Sequence, residues 1–278
     1  EISVEANPED ITDELIDGLL AAGVNRLTLG IQSLDDGVLA FLGRTHDAAT
    51  AHSTLAACLP HFSVGVDLIF GSPGETLDSW KRTVDLTLEQ FPHHLSAYSL
   101  TVETGTTLWK EVRAGAAAPD PDDQADKYEY MQEAADTANL VQYEVSNYAR
   151  PGHTCRYNLA TWGQGEYLGF GLGAHGHRDG IRRRNVRSIA AYLAAVSRGE
   201  RPEAGREAVP DPEMERLILG VRRRCGVDLG GMERAAEADP GIQRLVAAGV
   251  IELERGRLRV VRPLLSDDVA ATVLSLSP

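Results

Sequence analysis

Alternating apolar and polar residues divide the first 150 positions into strand-like segments, each with one apolar face. In residues 1–6, Ile2 and Val4 share a face while Ser3 and Glu5 take the other, as the two-residue period of a strand requires. In residues 26–32, Leu27, Leu29 and Ile31 alternate with Thr28, Gly30 and Gln32. In residues 63–70, Val64, Val66, Leu68 and Phe70 alternate with Gly65, Asp67 and Ile69. Residues 95–101 and 141–146 supply two more strands, the last with Val141, Tyr143 and Val145 opposite Gln142, Glu144 and Ser146. Between strands the spacing becomes helical. Residues 12–22 put Leu15, Ile16, Leu19 and Leu20 on one stripe that Gly23 ends, and Leu77, Trp80, Val84 and Leu88 recur at helical intervals.

Strand–helix alternation predicts parallel strands joined by right-handed crossovers, in a doubly wound sheet or in a barrel or part of one. Polar placement favours the barrel. Glu5, Gln32, Asp67, Thr101 and Glu144 fall late in their strands, and all but Thr101 lie on the face opposite the helix-packing residues. The expected fold is α/β, an incomplete (β/α) barrel whose C-terminal mouth gathers polar groups, where barrel enzymes place their sites. Residues 114–123 (AGAAAPDPDD) read as a loop. A second break at residues 199–211 (GERPEAGREAVPD) separates residues 1–198, the partial barrel with its extension, from a small α+β domain at 199–278. There, helices are expected at 214–224 and 241–248, and a hairpin over 250–261 turning at Arg255-Gly256. That order resembles a winged helix.

Hydrophobic residues make up 43% of the chain and charged residues 24%, a globular balance. No apolar run approaches the roughly 18 residues of a membrane span, so stable membrane insertion is not expected. With 27 basic against 41 acidic side chains the formal charge is −14. Nucleic-acid and anionic-membrane binders carry a basic footprint, so no nucleic-acid partner is expected, and the winged-helix order points to protein contact or domain packing. Cys58, Cys155 and Cys225 are odd in number, far apart and without a CxxC pair, which matches neither a disulfide framework nor a local metal motif. A reducing cytoplasm is the expected setting. The chain opens on EISVEANPED, with no methionine, basic segment or apolar segment of a secretory signal, and is expected to be cut from a longer chain.

Glu5, Asp67 and Glu144 form a carboxylate set suited to ligand hydroxyls or amines or to proton transfer. The alternative is salt bridging inside the barrel. Carboxylates on an otherwise apolar strand are costly to bury unless paired, which favours the ligand role. Gly71-Ser72-Pro73-Gly74-Glu75-Thr76 joins a strand to a helix, where N–H groups can receive an anion, although a tight turn accounts for the same residues and is preferred. Residues 171–176 (GLGAHG) satisfy GxGxxG, but the dinucleotide fingerprint needs a helix next and an acidic residue about 20 positions on. His177-Arg178-Asp179-Gly180 follows instead. The segment is read as one whose backbone approaches something closely, with His175 or His177 facing a ligand. Arg182, Arg183, Arg184 and Arg187 either meet the carboxylates of an acidic small molecule or form a solvated face. Cys155 sits in HTCRYN, whose spacing matches no zinc pattern, and reads as buried filler. No catalytic residue and no metal ligand is assigned.

Seven words run in order along the chain: VEANP (4–8), NRLTLGIQSLDD (25–36), LGRTHD (42–47), VDLIFGSPGET (66–76), LSAYSLTVETGT (95–106), YEVSNYARPG (143–152) and YLGFGLGAHG (167–176). Together they resemble the coproporphyrinogen III oxidase-like radical S-adenosylmethionine (radical SAM) family, in particular its haem-chaperone branch, over residues 1–178. The resemblance implies a radical SAM (β/α) barrel, S-adenosyl-L-methionine and a [4Fe–4S] cluster as cofactors, haem or a porphyrin as the small-molecule partner, and a haem-receiving client protein. The alternative within the family is an oxygen-independent coproporphyrinogen III oxidase. Carried over position by position, Glu5, Gln32, Arg44, Asp67 and Thr101 match contacts to SAM, and His175 lies where another is expected. Four of these are among the strand-end residues that alternation singles out. The family's CxxxCxxC word and the strand after it precede residue 1, so this polypeptide is expected to hold no cluster and to complete no radical reaction alone. The branch often shows HNxxYW where this chain reads Tyr157-Asn158-Leu159-Ala160-Thr161-Trp162.

Overall fold

Nine residues, Leu27, Leu29, Ile31, Val64, Val66, Leu68, Phe70, Leu95 and Ala97, are at most 1% exposed. Their common face is what binds the first half of the chain into a sheet. The computed structural model describes residues 1–276, and two compact units divide the chain, Glu1–Thr154 and Cys155–Pro278. The first unit runs β1 (Ser3–Ala6), α1 (Asp13–Ala21), β2 (Arg26–Gln32), α2 (Asp36–Phe41), α3 (Ala48–Cys58), β3 (Ser63–Phe70), α4 (Leu77–Glu89), β4 (His94–Ser99), α5 (Thr107–Arg113), α6 (Pro121–Thr137), β5 (Val141–Gln142) and β6 (Asn147–Ala149). Its sheet has the order β1-β2-β3-β4-β6-β5. The first four strands are parallel, as crossovers through helices require. Trp80 and Val84 of α4, Ala51 and Leu55 of α3, and Met131 and Ala135 of α6 share one core with the apolar strand face.

Two expectations are corrected. Residues 141–146 do not form a parallel strand: only Val141–Gln142 is extended, and it pairs antiparallel with β6, itself antiparallel to β4. The Glu144 carboxylate turns back to accept from Ser146 N and Asn147 Nδ2, and this closes a hairpin where alternation suggested continuous strand. The loop at 114–123 is shorter than expected. Asp120 caps α6 through Asp122 N and Asp123 N, and Pro121 opens the helix, a position where its missing N–H costs nothing.

The second unit runs α7 (Arg156–Trp162), β7 (His175–Arg178), β8 (Ile181–Asn185), α8 (Ile189–Ser197), β9 (Glu203–Ala208), α9 (Pro212–Gly220), β10 (Val227–Asp228), α10 (Glu233–Ala238), α11 (Pro240–Ala247), β11 (Ile251–Glu254), β12 (Arg257–Val260) and α12 (Ser266–Leu274). Strand β9 pairs with β8, so the compositional break at 199–211 carries a sheet strand, and the division between units falls at residue 154 instead of 198. Residues 155–211 are tied to α9 by Gln164, which donates to Pro212 O and Glu215, and by an Arg182–Glu215 ion pair. From α9 to β12 the elements follow winged-helix order around a separate core that includes Leu217, Ile242 and Leu258. The β11–β12 turn falls at Arg255-Gly256, both with positive φ (49° and 74°), as a tight two-residue hairpin demands. Positions 277 and 278 lie outside the described residues. Among those described, no helix is long and apolar enough to cross a membrane.

The 71–76 turn uses its polar groups internally. Gly71 N donates to Glu75 Oε2 at 2.7 Å, and Lys127 Nζ, fully buried, contacts Glu75 O at 2.7 Å, Glu75 Oε2 at 3.2 Å and Asp123 Oδ2 at 2.6 Å. This is the structural turn preferred from the sequence. Removing one partner of a buried pair strands the other charge, so Lys127→Ala is expected to destabilise the fold by about 3–5 kcal/mol. Urea unfolding checks this, and Lys127→Met with Glu75→Gln is expected to recover most of the loss.

Candidate functional site

Residues between the core-facing ones appear together on the other side of the sheet. Glu5 pairs with Thr28, Thr28 with Gly65 and Gly65 with His94, giving one row across four strands. One step further along, Asp67 pairs with Ser96 and Ser96 with Asn147. Leu29 pairs with Val66, so the next residues, Gly30 and Asp67, are neighbours on this inner face. Gly65 lies against Thr28 Oγ1 and His94 Nδ1, which a methyl group there would approach to 3.1 and 3.4 Å.

A hydrogen-bonded chain links the second row. Ser96 Oγ donates to Asn147 Oδ1 at 2.8 Å, and Asn147 Nδ2 donates to Glu144, which is only 1% exposed. Burial pushes the Asp67 carboxyl up from 3.8 to about 6; the Ser96 hydroxyl and Arg26 oppose the rise, and Glu5 adds to it. Loss of solvation, with Asp67 and Glu144 nearby, pushes the Tyr98 phenol up to about 12. Burial and Arg26 hold His94 down to about 3, so its ring is neutral. His94 Nε2 meets Tyr143 OH at 2.8 Å, while Nδ1 is buried without a hydrogen-bond partner.

A second group collects where β1 and β2 end. Ser33 N donates to Ile31 O at 2.8 Å, closing a three-residue turn centred on Gln32, whose φ is +67°. The ladder to β3 slips there, pairing Gln32 with Leu68, the kind of bulge that re-aims a side chain at the edge of a site. The Gln32 amide thereby comes over Gly30: a methyl at Gly30 would lie 2.8 Å from Gln32 Nε2, 3.6 Å from Arg44 Nη2 and 3.7 Å from Asn7 Oδ1. Arg44 Nη2 donates to Asn7 Oδ1 at 2.5 Å and Gly30 O at 3.3 Å, and its Nε is buried without a partner. Glu9 fixes the segment carrying Arg44 by accepting from Thr45 and contacting His46, whose other ring nitrogen reaches Ile31 O at 3.1 Å.

The structure thus joins Asp67 and Glu144 through Ser96 and Asn147, with the exposed Glu5 near enough to Asp67 to act through its charge, and gathers Gln32 with Arg44 around Gly30. Thr101 is exposed, two residues beyond the end of β4 at Ser99. His175 belongs to the second unit, exposed on β7 opposite Arg184. Sequence reasoning missed His94, Ser96, Asn147 and Asn7. The alternation His94-Leu95-Ser96-Ala97-Tyr98 carried the signal for two of them. Residues 175–178 form a strand, which agrees with the rejection of a dinucleotide fingerprint.

Residues 1–87 match the Radical SAM superfamily. The fold resembles that of coproporphyrinogen III oxidase (HemN) from Escherichia coli, a radical SAM enzyme, with a TM-score of 0.82 over 99% of this chain and 70% of that one, at 19% identity. The fold therefore belongs to the radical SAM class. The haem chaperone HemW of Mycobacterium tuberculosis (strain CDC 1551 / Oshkosh) is 38% identical across 99% of this chain and 72% of its own length, and that of Bacillus subtilis (strain 168) is 34% identical across 82% and 61%. A mitochondrial radical S-adenosyl methionine domain-containing protein 1 from Bos taurus is 44% identical across 81% of this chain and 49% of its own. Within that class, the chain belongs to the HemW family.

Because folding raises the Asp67 pKa, the folded chain binds this proton more tightly than the unfolded one. The resulting stabilisation is fully present below 3.8 and is lost as pH rises through about 6. Asp67→Asn, neutral throughout, is expected to gain melting temperature relative to the parent between about pH 4 and about pH 7. A difference that stays constant over this range contradicts the assignment.

Proposed function

We propose that this chain is the larger part of a haem chaperone of the HemW type, with S-adenosylmethionine bound on the inner face of the first sheet and haem handed to a client protein. Identity of 38% over nearly the whole chain to a protein named as a haem chaperone carries this reading. The oxidase shares only the fold, at 19% identity.

The residues of the inner face suit a nucleoside carrying a carboxylate and an amine. Arg44 offers a buried, unpartnered Nε to a carboxylate. Glu5 and Asp67 offer acceptors to hydroxyl or amine groups, with Gln32 and Asn7 beside them. In this reading Thr101, just past the end of β4, adds a hydroxyl to the set. The [4Fe–4S] cluster that the class implies does not fit the residues present. The described residues contain no group of three His, Cys, Asp or Glu able to hold a metal, and Cys58 is buried in the α3 core. A reducing, cytoplasmic setting belongs to the same reading.

Haemin titration tests the chaperone reading. A saturable shift of the Soret band is expected, followed by loss of the shifted band when an apo-haemoprotein is added. An unshifted band overturns it. For the nucleoside site, Arg44→Ala is expected to weaken SAM binding about 10- to 100-fold by calorimetry, the worth of a hydrogen bond to a charged group.

A further inference from the structure

The second unit contains a cavity of about 470 Å3, within the range of small-molecule sites, that the nucleoside site leaves unused. Its lining includes the apolar Leu168, Phe170 and Tyr192, and Arg178, Arg183 and Arg201 with the carboxylates Asp179 and Glu203.

The apolar part of the lining is built in place. Asn185 Nδ2 donates to Gly171 O at 2.9 Å and to Gly169 O at 3.4 Å, and Gly171 N donates to Tyr192 OH at 3.1 Å. Tyr167 and His177 exchange backbone hydrogen bonds of 2.8 and 2.9 Å. A methyl group at Gly169 would fall 2.2 Å from His175 O, so this loop can lie on β7 only with glycine there. Between these anchors Phe170 stands 83% exposed, with Leu168 at 60%. A fixed, solvated aromatic ring at a cavity mouth gains by being covered.

The guanidinium groups are only loosely matched by carboxylates, with Asp179 3.7 Å from Arg178 Nε. Arg183 Nε is buried with no hydrogen-bond partner, and the carboxylate beside it, Glu203, stands 3.7 Å away and is shared with Arg206 at 3.8 Å. Arg201 forms no ion pair among the described residues. A buried donor without an acceptor is uncommon in a finished interior, and a guanidinium suits a carboxylate.

We infer that this cavity binds a planar, largely apolar ligand bearing carboxylates, of the porphyrin class, with its ring against Leu168 and Phe170 and its acid groups toward Arg183 and Arg201. The inference rests on the haem reading and gives the haem a location.

The test titrates haemin and metal-free protoporphyrin IX into the 278-residue chain, Phe170→Ala and Arg183→Ala, following Soret absorbance and porphyrin fluorescence. Both porphyrins are expected to bind the parent, and each substitution to weaken binding roughly tenfold or more. Protoporphyrin dimethyl ester, which lacks the free acids, is expected to bind more weakly and to be indifferent to Arg183→Ala. Phe170 is at the surface, so its variant should keep the parent's melting temperature and report on binding alone. If both variants bind haemin as the parent does, the cavity assignment falls and the haem reading stands. If the parent binds neither porphyrin, both fall.

Discussion

A strand presents its side chains to two sides in turn, so a sheet that buries its apolar residues under helices must gather the intervening ones opposite. The first unit follows from this constraint. Leu27, Val64, Val66 and Leu95 fix which face meets α3, α4 and α6, and the pairing register then places Glu5 and Thr28 beside Gly65 and His94, and Asp67 beside Ser96 and Asn147. A slip of one residue would exchange the two sets entirely. The core thus determines the chemistry of the site without touching it. Glycine at positions 30 and 65 is the second ingredient, because its missing side chain leaves the room that the Gln32 amide and the Thr28 hydroxyl occupy.

Electrostatics on the inner face follow from how little water reaches it. His94 is neutral and Asp67 titrates near 6 because each is desolvated, with Arg26 stabilising the ionised Asp67 and opposing protonation of His94. A buried donor on Arg44 and an unpartnered ring nitrogen on His94 are unfavourable in isolation. They become favourable when a polar ligand supplies the missing partners, which is how a binding face differs from a core.

The sequence words shared with radical SAM proteins coincide with places where the backbone is held. LGRTHD holds Arg44 through the grip of Glu9 on Thr45 and His46. GSPGET closes on Glu75 and Lys127. YEVSNYARPG forms the hairpin that delivers Glu144 and Asn147 to the inner face, and YLGFGLGAHG lies on β7 under the hold of Asn185 and Tyr192. In each case side chains bind main-chain groups, or each other, so the word specifies a shape as well as a set of functional groups.

Local periodicity was enough to read the four parallel strands, the faces of Glu5 and Asp67, and the turn at Arg255-Gly256, since a two-residue period and a two-residue turn are properties of adjacent positions. It failed where specific side-chain partners decide. The strand expected at 141–146 gave way because Glu144 found partners in Ser146 and Asn147, a pairing that alternation cannot weigh against continued extension. The clamp on Arg44 and the anchors of the 168–174 loop join residues well separated in sequence. Sequence alone determined which residues face the core and which cannot, because burying apolar surface is a requirement of each segment by itself. Only the tertiary structure decided which polar residues meet, because the cost of an unpaired buried charge is relieved by whichever partner the fold brings within reach.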